Sequence, residues 1–130
     1  MMRLSPGLLL VALGIVGCAE EGPPLYHVSG TVSYEGKPVA VGSMVFQPDP
    51  SAGNSGPYGH AMIRDGLYDT RLEGAPTTGG AQIVMIEAFD GKVVNPEYAP
   101  YGTSLGLGYQ ETHVLPESED AVLHFELKEE

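Results

Sequence analysis

Glycine and proline recur so often past residue 18 that no later stretch can sustain the 3.6-residue apolar period of a helix. The chain spends 18 glycines and 11 prolines in 130 residues, and they fall between short runs rich in Val, Ile, Thr, Tyr and Phe. Such a chain is built from strands and turns. Tyr26 to Tyr34 alternates, with Tyr26, Val28, Gly30, Val32 and Tyr34 on one face and His27, Ser29, Thr31 and Ser33 on the other. Glu35-Gly36-Lys37-Pro38 turns the chain, and Gly42 to Gln47 is a second strand, ended by Pro48 because proline cannot donate to a ladder.

Asp49 to Pro57 is dense in turn formers and reads as a surface loop. Tyr58 to Arg64 and Leu67 to Leu72 flank Asp65-Gly66, a pair suited to a two-residue hairpin turn; Ala61, Ile63, Tyr68, Thr70 and Leu72 are expected to face inward. Residues 73–80 connect onward. Ala81 to Phe89 is apolar on both faces and reads as a central strand covered on both sides. Gln110 to Leu115 and Ala121 to Leu127 supply the last two strands, the latter with Ala121, Leu123, Phe125 and Leu127 inward. About seven strands with turn signals every eight to twelve residues predict an all-β domain, an antiparallel β-sandwich of immunoglobulin-like or related topology.

The N-terminus has a different grammar. Arg3, the apolar run Leu8 to Val16, small Gly17 and then the chain's one cysteine form a secretion signal over residues 1–18. The apolar run is too short to span a bilayer, which takes roughly 20 residues. Ile15-Val-Gly-Cys18 resembles the bacterial lipobox, in which the cysteine is diacylated and becomes the mature N-terminus. Cys18 is therefore the expected lipidation site, residues 19–25 a Gly/Pro tether, and residues 26–130 the folded domain. The expected address is the bacterial cell envelope, with the domain held to a membrane by its N-terminal lipid and facing the periplasm or exterior. Past Cys18 the chain keeps five Lys and Arg against seventeen Asp and Glu, a net charge of −12 (5 − 17). Such a surface repels phosphate, so no nucleic-acid partner is expected.

Motif order adds a resemblance. Val28-Ser-Gly-Thr-Val, Gly36-Lys-Pro-Val39, Val45-Phe-Gln-Pro-Asp49, Arg64-Asp-Gly-Leu-Tyr68, Gly74-Ala-Pro76, Ile83-Val-Met-Ile86 and Leu123-His-Phe-Glu-Leu127 follow one another across nearly the whole domain. Together they resemble the transthyretin-like, carboxypeptidase-regulatory-like domains, many of which are short lipoproteins of planctomycete bacteria. The resemblance implies a prealbumin-like sandwich. At Gly79-Gly80-Ala81 the chain departs from the pattern, where such domains usually place a Lys-Tyr pair before the strand.

Little catalytic chemistry is legible. The chain ends Phe125-Glu-Leu-Lys-Glu-Glu130, without the Tyr-Arg-Gly-Ser tail of transthyretin-related hydroxyisourate hydrolases. His27, His60, His113 and His124 are scattered, His27 and His124 on the expected solvent face, and no close pair has ligand spacing. No serine sits in a nucleophile-elbow setting, and Cys18 is consumed by the anchor. Neither an enzyme, a metal nor a cofactor is expected. The one stretch suited to binding is the long segment Lys92 to Tyr109, where Tyr98, Tyr101 and Tyr109 offer flat apolar rings with a polar tip. The expected role is a non-catalytic envelope structural or protein-interaction module, or else a carbohydrate-binding domain using the tyrosine loop.

Overall fold

The computed structural model describes residues 22–106 and 108–129. Cys18 and the signal segment lie outside them. Nine strands follow in chain order: β1 (Val28–Tyr34), β2 (Lys37–Pro38), β3 (Val41–Pro48), β4 (Gly59–Arg64), β5 (Leu67–Asp69), β6 (Gly74–Ala75), β7 (Gly80–Phe89), β8 (Tyr109–Leu115) and β9 (Ala121–Leu127). The described residues hold no α-helix, only a 3-10 turn at Pro50–Ala52. Both tight turns follow from residue choice. Glu35-Gly36 (φ 49° and 75°) and Asp65-Gly66 (φ 50° and 77°) put two successive residues at positive φ, the geometry that matches the twist of a hairpin.

All strands belong to one sheet curled into a half-barrel. Along it β9 lies beside β1, then β5, β4, β3, β7 and β8 follow; β2 also pairs β1, and β6 pairs β4. Every pairing is antiparallel but one. β9 runs parallel to β1 over seven residues, from Val28↔Ala121 to Tyr34↔Leu127. The chain therefore leaves β8 through the acidic turn 116–120 and joins the other end of the sheet, not its sequence neighbour. Gly30 permits this approach: a Cβ there would lie 1.7 Å from the Leu123 carbonyl oxygen.

The concave face carries the core. Val28 and Val32 of β1, Met44 and Phe46 of β3, Ala61 and Ile63 of β4, Val84 and Ile86 of β7, and Phe125 and Leu127 of β9 are buried there. Tyr68 stands between Phe46 and Phe125, at 6.3 and 6.0 Å centroid distance, and its hydroxyl donates to the Leu123 carbonyl at 2.9 Å. Burial pushes this phenol well above its ordinary pKa. The two ends of the sheet meet across the core, where the His113 ring of β8 stands edge-on to Phe125 of β9 at 5.0 Å.

Three expectations need correction. Leu72 does not face inward but is 81% exposed, because β5 stops at Asp69. The Asp69 side chain accepts from Arg71 N, and Leu72 N donates to Asp69 O, so a turn breaks the period of two before Leu72. β7 is not covered equally on both sides. Gln82, Val84, Ile86 and Ala88 are buried, whereas Ala81, Ile83, Met85 and Phe89 remain half-buried on the convex face. His27 is half-buried rather than solvent-facing, its Nδ1 2.9 Å from Thr70 Oγ1.

Candidate functional site

Chain direction places the long loop. Tyr26 and Thr77 exchange backbone hydrogen bonds of 2.7 and 2.9 Å where the domain begins, at the end of the half-barrel that also holds Pro48↔Gln82 and Gly80↔Leu115. β1 runs away from that end, and β7 delivers the chain to Phe89, opposite Val41, at the other. Residues 90–106 therefore cap the end remote from the entry of the chain.

This loop is tied together by Asp90. Its Oδ1 accepts from Lys92 N at 2.8 Å and Thr103 N at 2.9 Å, while its backbone N–H donates to Thr103 O. Those amides, Lys92 first, hold the Asp90 carboxyl below its usual pKa. Gly91 N donates to Tyr101 O and Leu105 N to Ala88 O, closing the base; Asn95 organises the tip, where its backbone and side-chain oxygens accept from Ala99 and Glu97 amides. A Cβ on Gly102 (φ 87°) would lie 2.1 Å from Asp90 Oδ1.

The three tyrosines occupy different settings. Tyr98 stands at the tip, 84% exposed, near in sequence to exposed Val93 and Val94. Tyr101 folds onto the convex face, 46% exposed, its ring 5.6 Å from Phe89. Tyr109 is not in the loop at all but is the first residue of β8. Its ring stands edge-on to Tyr34 at 6.5 Å, and its hydroxyl donates to Leu105 O at 3.1 Å. One flat platform of three rings therefore does not form.

The convex face carries a groove that pattern reading missed. About 490 Å³ in volume, it is lined by Met62, Leu67, Leu72, Arg64 and Glu73, with Ser29 and Thr31 on its β1 side. Arg64 and Glu73 form a two-pronged pair across it, Nε to Oε1 at 2.7 Å and Nη2 to Oε2 at 2.9 Å. That hydrogen-bonded pair raises the guanidinium and lowers the carboxyl from their ordinary pKa values, and both groups are open to solvent. Met62 also lines a smaller hollow of about 200 Å³ with Val41, Phe89 and Tyr101, so its side chain is a wall common to both. The sequence signal was present in Arg71-Leu-Glu73, an apolar residue between charges just after a strand end, but strict alternation pointed Leu72 inward.

The histidines stay apart. His27 meets Thr70, His124 Nδ1 meets Thr31 Oγ1 at 2.7 Å, and His113 Nε2 meets Glu111 Oε2 at 2.8 Å. Among the described residues no group of three or more His, Cys, Asp or Glu is arranged to hold a metal ion. No helix of the described residues is long and apolar enough to cross a membrane.

The chain matches no protein-family model and no curated protein.

Proposed function

We propose that this chain is a lipid-anchored, non-catalytic interaction module of the bacterial cell envelope, which offers the loop 90–106 to a protein partner. The observation carrying this reading is the opposition of tether and loop. The eight residue steps from Cys18 to Tyr26 reach at most roughly 28 Å when extended. An acylated Cys18 would thus keep the Tyr26–Thr77 end near the bilayer and turn Val93, Val94 and Tyr98 away from it. An exposed tyrosine on such a loop is an anchor of the kind that protein interfaces bury, and the exposed valines add apolar surface around it. The transthyretin-like resemblance agrees with this reading, and the facing of His113 and Phe125 supports treating the curled sheet as a variant of the expected sandwich.

A glycan-binding role is the second reading. Tyr101 favours it, since its half-exposed ring lies on Phe89 beside a groove edged by Arg64 and Glu73. In-cell crosslinking of the full-length chain, tagged at its C-terminus, distinguishes the two. One stoichiometric envelope protein supports the first reading; recovery of polysaccharide alone, lost in Tyr101→Ala, replaces it with the second.

A further inference from the structure

Strand β8 ends the sheet, and its outer edge has the makings of a docking rail. Even-numbered residues of β7 turn their backbone groups toward β8, as the bond from Leu105 N to Ala88 O marks, and they lie opposite odd-numbered residues of β8. Gln110, Thr112 and Val114 consequently direct their N–H and C=O groups away from the sheet. Among the described residues no backbone group hydrogen-bonds to these three on that side. Native edges are usually blunted by lysine, proline, a bulge or an inward-pointing charge, of which β8 has only the last, at Glu111. Lysine, proline and bulge are absent from its seven residues, since Pro116 comes only after its end.

Charge selects the occupant. Between Lys92 and Lys128 the chain has no Lys or Arg and six carboxylates; Arg71 pairs with Glu119 and Asp120, while Glu97, Glu111, Glu117 and Glu126 have no Lys or Arg partner among the described residues. Glu111 lies on the strand itself, half-buried on the concave side, one carboxylate oxygen 2.8 Å from His113 Nε2 and the other left to face the residue of an added strand that would stand directly opposite. Full antiparallel overlap of two copies, centred on Thr112, would set Glu111 opposite His113, but it would bring together two chains that each carry a net charge of −12 past Cys18. A strand with lysine or arginine at alternate positions meets the same edge favourably.

We propose that the β8 edge binds an extended basic segment of a protein partner by strand addition, with a cation placed opposite Glu111. This site is separate from the loop tip and does not depend on the lipid anchor.

The test uses the full-length, ¹⁵N-labelled chain in non-ionic detergent, titrated with a synthetic peptide of alternating lysine and valine and with its glutamate counterpart. The lysine peptide is expected to bind saturably and to slow hydrogen exchange at the Gln110, Thr112 and Val114 amides, while the glutamate peptide does neither. Thr112→Pro removes an outward N–H at an edge position where proline is tolerated, so the fold is expected to persist and the affinity to fall about tenfold or more. Glu111→Lys is expected to exchange the preference between the two peptides. The proposal is overturned if the lysine peptide fails to bind, binds without protecting those amides, or binds Thr112→Pro undiminished. It is also overturned if the same amides become protected with rising protein concentration in the absence of peptide, because the occupant is then a second copy.

Discussion

The carboxylate of Asp90 occupies the space beside Gly102 that any side chain there would need: a Cβ on Gly102 comes within 2.1 Å of Asp90 Oδ1. That contact lets one acidic group hold Lys92 N and Thr103 N together and gives an irregular loop a fixed base. Gly102→Ala is expected to destabilise the domain by about 1–3 kcal/mol through left-handed strain and the lost clamp. Urea denaturation with tryptophan-free detection, such as far-UV circular dichroism, checks the value.

The same clamp has a pH signature. Because the folded-state pKa of Asp90 is depressed, its contribution is complete above the unfolded carboxyl value and disappears as pH falls through the lower, folded one. Acidification below about pH 4 should therefore lower the exchange protection of the Lys92 and Thr103 amides, taken relative to the intrinsic rate at the same pH, before that of the core amides of Val84 and Ile86. Simultaneous loss at all four would mean that Asp90 does not hold the loop independently.

Gly30 and Tyr68 converge on one carbonyl. Gly30→Ala would drive a methyl group to within 1.7 Å of Leu123 O, so the parallel β1–β9 ladder is expected to separate, with loss of well over about 3 kcal/mol. Tyr68→Phe keeps the ring and removes only the donor to Leu123, an expected cost of about 1–2 kcal/mol. Thermal unfolding of the two variants should rank them in that order.

The tyrosines separate by the same measurement. Tyr98→Ala is expected to stay within about 0.5 kcal/mol of the parent, because its ring is open to solvent. Tyr109→Ala, which loses the Tyr34 contact and the hydroxyl bond to Leu105, is expected to cost about 2–3 kcal/mol. Tyr101→Ala should fall between them.

How much of this was legible in the sequence depends on the range of the interaction. Alternation put Val28, Val32, Ala61, Ile63, Phe125 and Leu127 on the buried face, and Asp65-Gly66 announced its hairpin, because both signals are local. Alternation failed at Leu72, where the Asp69 side chain ends the strand early. The parallel pairing of β9 with β1 was hidden because Gly30↔Leu123 joins residues 93 positions apart, and only the steric need for a glycine hints at it. At the candidate site, the loop was visible as a long Gly/Pro segment with tyrosines. The partition of its rings was not, since it follows from Phe89, Tyr34 and the Asp90 clamp. The convex groove depends on Arg64 meeting Glu73 across β4 and β6, which no spacing rule gives.

The anchor is tested on residues outside the described structure. Cys18→Ala is expected to abolish lipid labelling and leave unprocessed precursor. Membrane partitioning as efficient as that of the parent chain would show that the lipobox assignment is mistaken.

Site-specific photocrosslinking in cells addresses the central proposal most directly, with the photoreactive residue placed at Val94 on the loop tip or at Glu117 at the tether end of the full-length chain. Val94 is 94% exposed, so the probe should not disturb the fold. One dominant envelope protein is expected to be captured from position 94, absent from position 117 and diminished by Tyr98→Ala. Capture of the same protein from position 117 alone, or of no protein from position 94, would contradict a role for the loop in binding a partner.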